Sequence, residues 1–396
     1  MIGAGPAGSA TAAFLATCGY DVVLLDHAHF PRRKPCGDYL TPGAVRILRD
    51  ELGALPDLEA SGAADLSRET IVCHNGRSFG GSTQAMSCPR SVTDQILLDT
   101  ARRRGVHVHE GFHARRVAMD GSAVIGVEGE DADRVATRVQ ARVTVGADGT
   151  RSLLARSLGG VRPIPRLQRI ALQGYFLGNA TDDTPGVTMH LPADGSDACC
   201  GFGAPSGPER TRNVNIVVPI SEATSVAGRP QEYFDERLRR SFPQVWEQLQ
   251  GSPQVGALRS VGCFGHTTRR AAQDGAVLVG DAATFINPFT GEGVYFALRG
   301  ARLAADAIDG ALRSHDTSYR TLRRYDLARR KELTPRYKLC DAVQRLVHSP
   351  AWLAWAAERL RRSSDLTESI LRTVGDLEPP RDLFTIRTLG LALKTF

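Results

Sequence analysis

Apolar and polar positions change their period several times along the chain, and each change marks a predicted element. Residues 1–26 read as a short strand, a glycine turn, a helix over 6–18 stopped by Gly19, and a buried strand over 21–25, the opening of a βαβ unit. Residues 70–87 are polar and glycine-broken, as in strands, whereas Ile96, Leu97, Thr100 and Ala101 recur at helical spacing within 92–104. From 106 to 145 the valines at 106, 108, 117, 124, 127, 143 and 145 are separated by polar residues, which predicts sheet. Strand-like runs at 170–176, 187–191 and 213–219 follow, set among glycine- and proline-rich turns, with one helix over 231–249. Residues 276–279 form a buried strand again, 293–311 a long helix, and the chain beyond 316 is helical and rich in arginine.

The pattern divides the chain into a Rossmann-like α/β nucleotide-binding domain in three pieces (1–70, 92–164 and 266–315), an inserted antiparallel sheet domain (71–91 and 165–265), and a helical C-terminal cap (316–396). At 396 residues, 42% of them apolar, the chain can bury a large core, which suits an enzyme. The net charge of +6, from 49 basic and 43 acidic residues, is thin and dispersed, so nucleic acid is not an expected partner. Eight cysteines contain no C-x-x-C pair and no zinc-like Cys/His spacing, which predicts a reduced, cytoplasmic protein without a metal site. Neither a secretion signal nor a membrane span is visible.

Three motifs carry chemistry. Gly3, Ala4, Gly5, Pro6, Ala7 and Gly8 fit G-x-G-x-x-G at a strand-to-helix turn, where missing β-carbons let backbone amides approach a pyrophosphate. Asp26 closes the following strand, where an acid accepts bonds from a ribose diol. Only Met1 and Ile2 precede Gly3, so the first strand reads as truncated or stunted. Asp148 and Gly149 form a second turn after a strand. Gly280 and Asp281 form a third, leading through Asn287, Pro288, Phe289, Thr290, Gly291, Glu292 and Gly293 into the long helix.

In this order and spacing the motifs resemble the p-hydroxybenzoate hydroxylase superfamily of FAD enzymes, over residues 1–308. The stretch Phe30, Pro31, Arg32, Arg33, Lys34, Pro35, Cys36, Gly37 and Asp38, then Leu40, Thr41 and Pro42, is similar to the geranylgeranyl reductase branch. Arg90 to Asp94 resembles that family's flavin-contacting arginine motif. The resemblance implies non-covalent FAD, held by Gly3, Gly5, Ala7, Gly8, Asp26, Arg33, Cys36, Gly37, Arg90, Asp148, Gly149, Gly280, Asp281, Gly291, Gly293 and Val294. Cys36 and the loop of Pro288, Gly291 and Gly293 are the residues expected beside the reacting ring. No second G-x-G-x-x-G is present, so NAD(P)H is expected as a transient reductant.

The aromatic substrate motif Y-x-W-x-F-P of prenyl reductases is reduced here to Phe202 and Pro205, which implies a wider cavity for a hydrophobic small molecule. The W-x-W-x-I-P motif of flavin halogenases is absent. Glu292 reads as an acid complementing a helix N-terminus, His107 and His109 as exposed strand residues, and His266 as able to reach the substrate side. The helix carrying Trp352, Trp355 and Arg359 reads as a lid or, alternatively, a peripheral membrane contact. The leading expectation is an FAD monooxygenase that hydroxylates or epoxidises with NAD(P)H and O2. A reduced-flavin reductase saturating prenyl C=C bonds is the second, and a non-catalytic flavoprotein the third.

Overall fold

The computed structural model describes residues 1–178, 186–262, 264–286, 290–347 and 349–384. Its first layer is a parallel sheet that Met1 to Gly3 complete. Ile2 bridges Leu25 on one side and Gly146 on the other, so Val23–Asp26 with its neighbour His107–Glu110 is joined to Thr144–Gly146 and Ala276–Leu278. The backbone of this short segment pairs on both sides: Ile2 N with Val145 O, Gly3 N with Leu25 O, and Ile2 O with Ala147 N. Pro6–Thr17 and Gly293–Arg313 pack together on this sheet. Alanines dominate both contact surfaces: Ala10, Ala12, Ala13, Ala301, Ala304 and Ala305 belong to one buried cluster, and small side chains bring helix axes close.

The second layer is an eight-stranded sheet in the order Arg259–Gly262, Arg169–Leu177, Thr211–Pro219, Cys199–Phe202, Gly186–His190, Ala64–Val72, Ser78–Ser87, Tyr39–Leu40. All pairs are antiparallel except Gly186–His190 with Ala64–Val72, which is parallel. Strand alternation gives the sheet two unlike faces. Leu172, Val214, Ile216 and Phe202 turn to one side and bury against Phe234, Leu238 and Val245 of two helices. Those helices, Pro230–Ser241 and Pro243–Gln248, replace the single one expected over 231–249; Pro243 cannot donate within a continuing helix and starts a new one.

The opposite face of the sheet presents Gln173, Asn213, Asn215 and Val217 toward the first layer. The C-terminal helices cover part of it, with Leu353 and Ala357 of Pro350–Arg362 packed on Cys199 and Val217. Trp355 on that helix is 49% exposed. No described helix is long and apolar enough to cross a membrane.

Candidate active site

Between the layers lies a cavity of about 1160 Å³. Its floor is backbone. Gly3 has φ +98°, and a β-carbon on it would meet the backbone of Ala147, while one on Gly8 would strike the Gly3 carbonyl. Gly8 thus sits beneath the turn, leaving Gly3, Gly5 and Ala7 along the cavity. The helix Pro6–Thr17 has no side-chain cap at Gly5, so its first amides remain available to an anion. Asp26, which also borders the cavity, accepts the Ala4 amide at 2.7 Å and the Ala28 amide at 2.8 Å, one per carboxylate oxygen. Each oxygen keeps a second lone pair for a hydroxyl donor.

The second and third turns meet this floor. Asp148 holds its own turn by accepting the Leu153 amide at 2.7 Å, while Oδ1 is buried without a partner among the described residues. Burial raises this carboxyl above its ordinary range. Asp148 and Gly149 border the cavity, as do Asp281, Gly291, Gly293 and Val294. Gly280 lies behind it, against Ala7. His266 does not reach toward a substrate: its Nε2 lies 2.9 Å from the Asp281 carbonyl and pins that motif. Pro288, expected beside the reacting ring, lies outside the described residues.

A third group comes from residues 32–38. Arg33, Lys34, Cys36 and Gly37 border the cavity, and polar side chains of the large sheet hold the segment in place. Gln173 and Asn213 both donate to the Cys36 carbonyl. The Asp38 carboxylate accepts Tyr175 Oη at 2.6 Å, Asn213 Nδ2 at 2.7 Å and the Arg90 amide at 3.1 Å. Burial pushes Asp38 up to about 6, against the pull of these bonds. The Cys36 thiol is also raised by burial, opposed by the Arg90 guanidinium, which favours thiol over thiolate. Arg90 borders the cavity, with its Nε and one terminal nitrogen in a fork with Asp94 at 2.7 and 3.0 Å.

Phe202 and Pro205, expected to line a substrate pocket, do not border the cavity. Phe202 opposes Val214, so alternation turns it to the helix-covered face, under the Arg212 guanidinium 4.2 Å above its ring. Pro205 lies against Gly178. The residues that do line the cavity on the side of the large sheet include Ala171, Gln173, Asn215, Val217, Val261 and, just beyond that last strand, Phe264. Sequence reading missed Gln173, Tyr175 and Asn213, although their signature was present as polar residues at alternate positions within apolar strands. His107 and His109 are exposed, and no cluster that could hold a metal occurs among the described residues.

Against known families, residues 1–333 match the model for the FAD-binding domain. The chain belongs to this FAD-binding family, within the p-hydroxybenzoate hydroxylase-like superfamily. It is 31% identical to a menaquinone reductase of Mycolicibacterium smegmatis, across 99% of this chain and 95% of that protein. It is 28% identical to digeranylgeranylglycerophospholipid reductase 1 of Methanopyrus kandleri, across 96% of this chain and 97% of that one. The solved structure of a flavin-dependent brominase superposes with a TM-score of 0.84 at 21% identity, covering 99% of this chain and 96% of the brominase, which is a likeness of fold. The protein is therefore an FAD-dependent oxidoreductase.

The cavity suits that cofactor on its own chemistry. Uncapped amides at Gly5, the doubly held Asp26, and the partnerless Oδ1 of Asp148 supply an anion site, a diol acceptor and a hydroxyl acceptor. Lys34 adds a cation: it borders the cavity near Gly149, has no hydrogen-bond or ion-pair partner among the described residues, and burial lowers its pKa. A phosphate would restore its charged form. When bound, the flavin supplies hydride or electron transfer; the chain orients it and keeps water away.

Proposed function

We propose that this enzyme uses reduced flavin to saturate a C=C bond of a polyprenyl quinone or prenyl lipid. The full-length relationship to the menaquinone reductase, 31% over 99% of the chain, carries this reading. It is supported by the apolar residues that line the cavity beside the large sheet, among them Ala171, Val217, Val261 and Phe264, which suit an isoprenoid chain. Cys36 and the glycine loop at 291 and 293 then stand nearest the reacting bond, by backbone shape and by a neutral thiol. NAD(P)H is the proposed source of electrons. The free thiols at Cys18, Cys36, Cys73, Cys88, Cys199, Cys200 and Cys340 support a cytoplasmic setting.

The test is turnover under strict exclusion of oxygen. Purified protein with FAD and a reductant is given a menaquinone or a geranylgeranylated lipid, and the product is weighed by mass spectrometry. A gain of two hydrogens without oxygen is expected, and it should persist after any quinol is reoxidised to the quinone. A product that forms only in air and carries an added oxygen atom would replace this reading with hydroxylation or epoxidation.

A further inference from the structure

The turn at residues 290–293 has a side facing away from the cavity, and ionisable groups meet there. Glu292, at the N-cap of Gly293–Arg313, is 1% exposed, and its Oε2 accepts Thr290 Oγ1 at 2.9 Å and the Cys340 thiol. Asp376, also 1% exposed, takes the Arg336 guanidinium on Oδ1 at 2.8 Å. Arg336 is otherwise committed to the carbonyls of Thr373, Asp376 and Glu378 and lies over the Tyr295 ring. That leaves two buried oxygens without a donor among the described residues, Glu292 Oε1 and Asp376 Oδ2. The charged and titratable groups facing the pair are Cys340 and Arg336 from Tyr319–Val347, Tyr295 from Gly293–Arg313, and Tyr39, which acts on Asp376 and is bonded to Glu69.

Two ionised carboxylates and one guanidinium would leave an unbalanced negative charge in a dry site, which burial penalises. The carboxyls also act on each other, and a proton on one of them would give the buried, partnerless oxygens a donor. Burial raises both above their ordinary range, Asp376 the more strongly.

We propose that Glu292 and Asp376 hold one proton between them at neutral pH, and that losing it lowers the midpoint potential of the bound flavin. Gly291 and Gly293 border the cavity on either side of Glu292, so a charge on Glu292 lies directly behind the amino end of the helix Gly293–Arg313. While Glu292 is neutral, the positive end of that helix favours the extra negative charge of the reduced cofactor. Once the pair ionises, the new carboxylate offsets that end of the dipole and the reduced form is less favoured. Glu292 is thus a positioning residue that acts through the helix terminus.

Two measurements test this. Infrared spectroscopy of the protein without cofactor reads the C=O stretch of a protonated buried carboxyl at neutral pH in the wild type. The band is expected to vanish in Glu292→Gln, and also in Asp376→Asn, where Glu292 is left to pair with Arg336 alone. The flavin midpoint potential, followed against pH, should show a downward step in the wild type that is missing in Glu292→Gln, with little difference between the two at neutral pH. A potential that rises at neutral pH in Glu292→Gln would mean Glu292 is already ionised and would overturn the proposal. So would identical pH curves, absence of the infrared band from the wild type, or its survival in Asp376→Asn.

Discussion

The two walls of the cavity are built from different materials. The floor of the cavity is backbone: the Gly3–Gly8 crossing, uncapped amides, and turns held by Asp26 and Asp148. The roof over the 36–38 segment is side chain: Gln173, Tyr175 and Asn213 of one sheet face reach across to Cys36 and Asp38. At Gly3 and Gly8 the floor tolerates no added atom, because the neighbouring backbone would have to move aside. A side-chain roof can lose one bond and keep its shape. The two regions should therefore fail differently.

The largest effect is expected on the floor. Gly8→Val drives side-chain atoms into the Gly3 carbonyl and should weaken FAD binding by more than about 4 kcal/mol, roughly a thousandfold. The check is flavin content after purification and after reconstitution. Retained flavin would show that the crossing can relax.

On the roof, the expected signature is pH dependence. Burial holds Asp38 at about 6 rather than 3.8, so the folded protein binds this proton more tightly than the unfolded chain. The stability it contributes is complete below about pH 4 and lost as pH rises through 6, amounting to about 3 kcal/mol. Asp38→Asn should be less stable overall, since an amide cannot accept all three bonds, yet lack this slope. Unfolding free energies of both proteins across pH 4–7 decide it; parallel curves would break the assignment.

Lys34→Met probes the cation between the two walls and should weaken FAD binding by about 2 kcal/mol, read by calorimetric titration of the apoprotein. Its effect should shrink at high salt, unlike that of the glycine substitution. Smallest is Tyr175→Phe, which removes one of the three bonds to Asp38 and should cost about 1 kcal/mol of stability, with flavin retained. Loss of flavin here would mean that the roof is as unforgiving as the floor.

Much of the floor was legible beforehand because its requirements are local. Gly3, Gly5, Asp26, Asp148, Asp281, Gly291 and Gly293 stand at fixed offsets from strand ends, and all border the cavity. The roof was not legible in the same way. Asp38 lies 137 residues from Tyr175, and no offset along the chain connects them. Phe202 was misplaced for a related reason: the motif comparison located the strand, while the pairing of Phe202 with Val214 set which way its ring turns. His266 was read as able to reach the substrate side because its partner, the Asp281 carbonyl, belongs to a turn 15 residues along the chain, and spacing alone does not show that the two meet.

What the amino-acid sequence by itself determined was the main strands and helices around the glycine turns, the family, the cofactor and the backbone floor, since glycine positions, helix starts and strand periods act over a few residues. Tertiary structure alone decided which sheet face roofs the cavity, which polar groups clamp Cys36 and Asp38, and that Glu292 lies buried with Asp376 and Arg336. Those outcomes depend on strand register and on the removal of water around charges, which arise only when distant segments pack together.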